Sequence, residues 1–209
     1  MSMNTTNCAY AAGQLLEVKN ITKSFGNTVV LDGFSYKFER GLYVLSEPSG
    51  AGKTTLLRIL CGLVVADSGT VSKSPQAKTV MMFQEDRLLE NLSVRANIMI
   101  AIQAHSQKQK QNARERITEA LCAVGLEGTE NKPVSELSGG QKRRVALLRT
   151  LFANADILLF DEPLKGLDEA LKQQVIAFVK PFVESKVVIW VTHTPEEVKL
   201  LGSYTALQL

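Results

Sequence analysis

Ile157–Phe160 and Val187–Val191 are unbroken apolar runs of four and five residues. Runs this short, without alternation, are strands covered on both faces. Between them Asp168–Val183 has helical periodicity, with Pro181 bending or shortening its end. A buried strand, a helix and a second buried strand form the unit of a parallel sheet, because parallel neighbours need a long crossover connection. The pattern recurs upstream. Leu42–Ser46 reads as a short buried strand, followed by a small-residue loop and a helical stretch over Lys53–Cys61 that Gly62 stops. Thr79–Phe83 reads as another strand, Gly139–Asn154 as another helix, and Asp156–Phe160 as the strand that follows it. The expected fold is therefore α/β, with a mostly parallel sheet covered on both sides. Ligands of such sheets sit at the carboxyl ends of the strands.

Two segments depart from this pattern. Leu15–Thr22 and Val29–Phe38 alternate and are rich in β-branched and aromatic residues, so they predict an antiparallel β subdomain around the turn Gly26-Asn27. From about Asp86 to Glu136 strand patterns vanish. Ser93 is an N-cap for helical periodicity over Ser93–His105. The polar stretch Gln107–Arg116 reads as a solvated turn and helix face, and Ile117, Leu121 and Val124 continue a helical stripe that Gly125 ends. With the Gly139–Asn154 helix this makes a helical insert of about residues 86–154 within a single domain over 15–209.

Composition narrows the function classes. With 45% hydrophobic and 22% charged residues, the 209-residue chain is of ordinary globular make-up. A net charge of +3 is too mild to indicate nucleic acid, and none is expected as a partner. No apolar run approaches the roughly 18 residues of a transmembrane helix. Residues 1–14 lack a basic and an apolar region, so they are expected to be a loose end rather than a secretion signal. Cys8, Cys61 and Cys122 have no metal-ligand spacing and read as ordinary thiols.

Three motifs carry chemistry. Glu47-Pro48-Ser49-Gly50-Ala51-Gly52-Lys53-Thr54 resembles the phosphate loop G-x-x-x-x-G-K-[ST], between the strand and the helix that such a loop requires. Successive N–H groups from Ser49 through Gly50, Ala51, Gly52, Lys53, Thr54 and Thr55 would form an anion nest at a helix N-terminus. Lys53 would bridge the β- and γ-phosphates, and the Thr54 hydroxyl would ligate Mg²⁺. Glu47 stands where the loop has its first glycine. Turned inward, its carboxylate would repel phosphate. Turned outward, it leaves the nest intact, and the outward pose is expected because the first position lies at the rim. The second motif is Ile157-Leu158-Leu159-Phe160-Asp161-Glu162, an apolar strand ending in two acids. Asp161 would hold Mg²⁺ through water and Glu162 would act as general base. The third is Leu137-Ser138-Gly139-Gly140-Gln141, in which Ser138 caps a helix and the glycines admit a phosphate.

In this order, the motifs resemble the nucleotide-binding subunit of ATP-binding cassette (ABC) transporters, over about residues 15–209. The resemblance implies a P-loop NTPase core and ATP hydrolysis with Mg²⁺. It implies further roles: Gln84 senses the metal and the attacking water, His193 contacts the γ-phosphate, and Phe25 stacks on adenine. Two cassettes would pack head to tail, a homodimer being expected. Ser138, Gly139, Gly140, Gln141 and Asp168 would then meet the nucleotide of the other subunit. A separate membrane permease would be the driven partner, holding the chain at the cytoplasmic face of the membrane, and a solute-binding protein would join them in an importer. Phe83–Leu89 and Glu162–Asp168 resemble importers of nitrate, sulfonate or taurine-type solutes. Chromosome-structuring ATPases share the third motif but part the two halves by a long coiled coil, and only about 54 positions separate Gln84 from Ser138. The alternative function is a cassette with weak or no turnover because of Glu47.

Overall fold

The computed structural model describes residues 15–209. The expectation for the first fourteen residues, and Cys8 with it, lies outside them.

The strands β1 (Leu16–Phe25) and β2 (Thr28–Phe38) form the expected antiparallel hairpin, turning at Gly26, whose φ of 58° is in the left-handed region. A third strand, β4 (Ser68–Lys73), pairs antiparallel with the other edge of β1. It is absent from the sequence reading because its residues, Ser-Gly-Thr-Val-Ser-Lys, carry no apolar alternation. It is held by the backbone of β1, which it approaches so closely that a Cβ at Gly69 would lie 2.3 Å from the Asn20 carbonyl oxygen.

The second sheet is parallel, in the order β5 (Thr79–Met82), β6 (Ile157–Asp161), β7 (Val187–Val191), β3 (Gly41–Leu45) and β8 (Thr205–Ala206). Strand β8, two residues long, was not foreseen. Every residue of β6 and β7 is buried, and alternate residues face two different cores. Ile157, Leu159, Ile189 and Val191 pack with Leu56, Leu57 and Leu60 of α1 (Lys53–Leu60) and with the hairpin residues Leu16, Val18 and Phe38. Leu158, Phe160, Val188 and Trp190 pack with residues of α4 (Gly139–Phe152) and α5 (Glu169–Val183), among them Val145, Leu148, Val175 and Val179. A strand enclosed this way has no polar face, which is why β6 and β7 read as uninterrupted apolar runs.

Between β5 and β6 come α2 (Val94–Met99), α3 (Gln107–Ala123) and α4. The helix expected over Ser93–His105 ends six residues early, at Met99, although Ser93 caps it, accepting from the Ala96 N–H. The polar stretch at 107 is wholly helical: Ser106 and Gln109 form a reciprocal capping box that starts α3 there. Pro181 lies within α5, which runs on to Val183. A four-residue helix, α6 (Pro195–Val198), follows β7.

Strands β5, β6, β7 and β3 are consecutive neighbours and all parallel, so their carboxyl ends emerge along one sheet edge. Each delivers a different segment there: Phe83-Gln84 from β5, Asp161-Glu162 from β6, Thr192-His193 from β7 and the loop 46–52 from β3.

Candidate active site

The edge opens into a cleft of about 370 Å³, lined among others by Ser49, Gly50, Gly52, Lys53, Thr54, Thr55, Gln84, Asp161, Glu162 and His193. The residues that the sequence reading placed around one nucleotide within the chain therefore converge, apart from Ala51 and Phe25, which do not line the cleft. Phe25 is half exposed at the end of β1, with the Lys23 ammonium 5.3 Å from its ring centre.

The loop is built by its glycines. Gly50 and Gly52 have φ of 89° and 93°, and a Cβ at Gly52 would lie 2.6 Å from the Val30 carbonyl oxygen. Both conditions exclude other residues there. The first position makes no such demand: Glu47 is not among the residues with positive φ. Its side chain turns away from the cleft, with Oε1 accepting from the Leu209 N–H at 3.0 Å. The outward pose expected at the rim is the one found. The Lys53 ammonium, nearly buried, donates to the carbonyl oxygens of Glu47 and Pro48, spanning the loop.

The Thr54 hydroxyl donates to Asp161 Oδ2 at 2.8 Å. Asp161 is 1% exposed, and burial pushes its carboxyl above the usual carboxylate range. The Thr54 hydrogen bond opposes that shift, the Glu162 charge adds to it, and Arg143 and Arg58 oppose it more weakly. Among the described residues no cluster of three or more His, Cys, Asp or Glu side chains is placed to hold a metal. Thr54, Gln84 and Asp161 together offer hard oxygen donors but too few to complete a cation's shell, so a cation here would need oxygen ligands from phosphate and water.

Glu162 follows with φ of 50°, a conformation costly for a residue with a Cβ. Its N–H donates to the Val191 carbonyl oxygen at 2.9 Å, which pins the turn to β7. Both carboxylate oxygens are engaged: Oε1 lies 3.2 Å from His193 Nε2 and Oε2 lies 2.8 Å from the Lys165 ammonium.

Ser138, Gly139, Gly140, Gln141 and Asp168 do not line this cleft. Ser138 and Gln141 form a reciprocal capping box at the start of α4, and Asp168 caps α5 by accepting from the Leu171 N–H. Neither glycine answers a need of its own chain. Neither has positive φ, and a Cβ would meet nothing within 4 Å at Gly139 and only ordinary contact, 3.6 Å from a Leu167 methyl, at Gly140.

Two residues near the cleft went unread in the sequence. Lys165 is one. Arg143 is the other: it follows Gln141 by two positions, is 5% exposed, and aims its guanidinium at the backbone behind Gln84 and Glu162. The one sequence sign was a pair of adjacent arginines, Arg143 and Arg144, directly before the apolar run Val145–Leu148.

Comparison with known proteins agrees with this geometry. The family model for the ABC transporter matches residues 31–165. The chain is 36% identical over 194 residues to the Fe(3+) ions import ATP-binding protein FbpC of Photorhabdus laumondii, covering 87% of this chain and 55% of that one. It is 44% identical over 151 residues to the aliphatic sulfonates import ATP-binding protein SsuB 1 of Agrobacterium fabrum, covering 72% and 54%. A bacterial ABC transporter cassette solved in dimeric form superposes with a TM-score of 0.78 at 26% identity, over 93% of this chain and 94% of that one. The chain spans about half the length of the curated relatives it matches.

Proposed function

The chain belongs to the ABC transporter family, and on that premise we propose that it binds ATP in the cleft and hydrolyses it to power a membrane permease. The observation that carries this is the convergence of Lys53, Thr54, Gln84, Asp161, Glu162 and His193 on one cleft at the end of a parallel sheet. The loop N–H groups and the N-terminus of α1 would take the phosphates. Lys53 would leave the loop carbonyls it now bonds and turn to the β- and γ-oxygens. Mg²⁺, when bound with ATP, would neutralise developing phosphate charge. Thr54, Asp161 and Gln84 are the residues to hold it. Glu162 would accept the proton of the attacking water, and His193, beside it, would donate to the γ-phosphate. Phe25 offers an exposed ring for adenine. Phosphate release by the purified chain with MgATP tests the reading, and no release above the uncatalysed rate would refute it.

Gly139 and Gly140 support a second cassette. Glycine costs up to about 1 kcal/mol relative to alanine within a helix, and nothing among the described residues requires it at these two positions. Close approach of another molecule's phosphates to Ser138–Gln141 would. Two head-to-tail copies, with Asp168 near the shared surface, supply that arrangement. None of the helices among the described residues is long and apolar enough to cross a membrane, so a separate permease is the partner proposed, with the chain peripheral at its cytoplasmic side. The iron and sulfonate relatives are import proteins, which favours import, in which case a solute-binding protein would deliver the solute.

Glu47 does not weaken this function in its observed pose. Glu47→Gln is expected to leave MgATP affinity within about twofold of the parent at both low and high salt, since its carboxylate is tied to the Leu209 N–H and does not line the cleft. Titration calorimetry checks this. A several-fold gain confined to low salt would mean that the carboxylate faces the phosphates.

Asp161 predicts a pH dependence. A carboxyl whose value is raised in the fold stabilises while protonated, and that contribution is lost as pH rises through its folded value. At neutral pH, nucleotide-free Asp161→Asn is therefore expected to melt above the parent, each 1 kcal/mol gained appearing as roughly 2–4 °C in a chain of this size. The difference should shrink on acidification through the Asp161 range. Parallel melting curves for the two proteins at several pH values would show it.

A further inference from the structure

Arg143 does not line the cleft, yet it touches the backbone of both residues proposed to act on the attacking water, Gln84 and Glu162. Its Nη1 donates to the carbonyl oxygens of Phe83 at 2.7 Å and Gln84 at 2.9 Å, and to Asp86 Oδ1 at 3.0 Å. Its Nη2 donates to the carbonyl oxygens of Asp161 and, at 2.7 Å, of Glu162. One buried cation thus joins the segment after β5 to the turn after β6, and the Asp86 carboxylate compensates its charge.

Both joined segments hold a residue in the left-handed region without being glycine: Arg87 with φ of 45° and Glu162 with φ of 50°. Such backbone persists only where its surroundings over-determine it. The Val191 carbonyl fixes the N–H side of the Glu162 turn, and Arg143 fixes its carbonyl side. On the other segment, the Arg87 guanidinium stacks 4.0 Å from the Phe83 ring centre, and Arg149, also on α4, donates to the Asp86 and Arg87 carbonyl oxygens. Arg149 reaches this segment alone. Among the described residues, only the Arg143 side chain is bonded to both.

We propose that Arg143 is a positioning residue that locks the Gln84 segment to the Asp161–Glu162 turn, so that displacement of one moves the other. It deepens the ATPase reading: motion imposed on the exposed Gln84 segment would reach the Glu162 carboxylate through the guanidinium rather than through the nucleotide. A guanidinium suits this task because its planar fork presents two nitrogens in fixed relation, whereas a lysine ammonium is a single point.

The test uses Arg143→Gln and Arg143→Lys in the full chain, with Arg149→Gln for comparison. Hydrogen exchange on the nucleotide-free protein, followed peptide by peptide, should show the amides of residues 83–87 and of Asp161 and Glu162 exchanging at least tenfold faster together in Arg143→Gln. Arg143→Lys should keep only one of the two segments protected. Arg149→Gln should loosen 83–87 alone. In steady-state turnover, kcat should fall tenfold or more in Arg143→Gln while the KM for MgATP stays within about twofold, because the phosphate loop and Lys53 are not bonded to Arg143. Parent-like exchange in both segments, or loosening of one segment alone in Arg143→Gln, would overturn the proposal. So would an equal loss of kcat and affinity together with faster exchange throughout the chain. Should the parent show no turnover, the ATPase reading fails, and the exchange pattern still decides the role of Arg143.

Discussion

Glu162→Gln is expected to retain MgATP binding and to lose turnover by 100-fold or more, the lower end of what a positioned general base contributes. The amide keeps the shape of the side chain but has little affinity for a proton, so attacking water is no longer deprotonated. The structure adds a second consequence. Glu162 now holds His193 on one oxygen and Lys165 on the other. The amide has one oxygen and no charge, so the ion pair with Lys165 is lost. Binding should not suffer, because the phosphate loop and Lys53 are untouched. If two copies close around ATP, uncleared ATP should hold them together, and light scattering with MgATP should show a dimer in Glu162→Gln at concentrations where the parent is monomeric. Parent-like phosphate release from this variant would remove Glu162 from the role of base.

Lys53→Ala is the variant expected to lose affinity itself. A charge-assisted hydrogen bond in a partly desolvated site is worth about 1.5–3 kcal/mol, which at 1.4 kcal/mol per factor of ten is roughly a 10- to 150-fold rise in Kd. Turnover should disappear with it. In the nucleotide-free chain the same ammonium spans the loop through the Glu47 and Pro48 carbonyl oxygens, so the variant should also melt slightly lower. The loss of affinity must therefore be measured well below the melting transition. Calorimetric affinity within threefold of the parent would exclude Lys53 as a phosphate ligand.

Local chemistry alone determined much of this molecule. The apolar runs of β6 and β7 read as buried strands because, with a core on each face, no residue in them is free to be polar. The phosphate loop was legible because its demands are local: Gly52 must be glycine where a Cβ would strike Val30, and Lys53 and Thr54 follow at fixed spacing. The Ser138 cap was legible for the same reason, but not the reciprocal bond to Gln141. Strand β4 was not, since its pairing partner supplies the hydrogen bonds and Val71 alone among its residues brings an apolar side chain to the core. The end of α2 at Met99 was not either, because nothing in the periodicity there marks a stop.

Tertiary packing decided the rest. The strand order β5-β6-β7-β3 carries Gln84, Glu162, His193 and the phosphate loop, far apart in the chain, to one sheet edge. Long-range contacts also turned Glu47 outward, toward a backbone N–H 162 positions later. Arg143 shows why such facts escape a linear reading. Its five acceptors come from segments 57 to 60 positions before it and 18 to 19 positions after it. A buried guanidinium must find acceptors, but which backbone turns supply them is settled only when the sheet and α4 pack together.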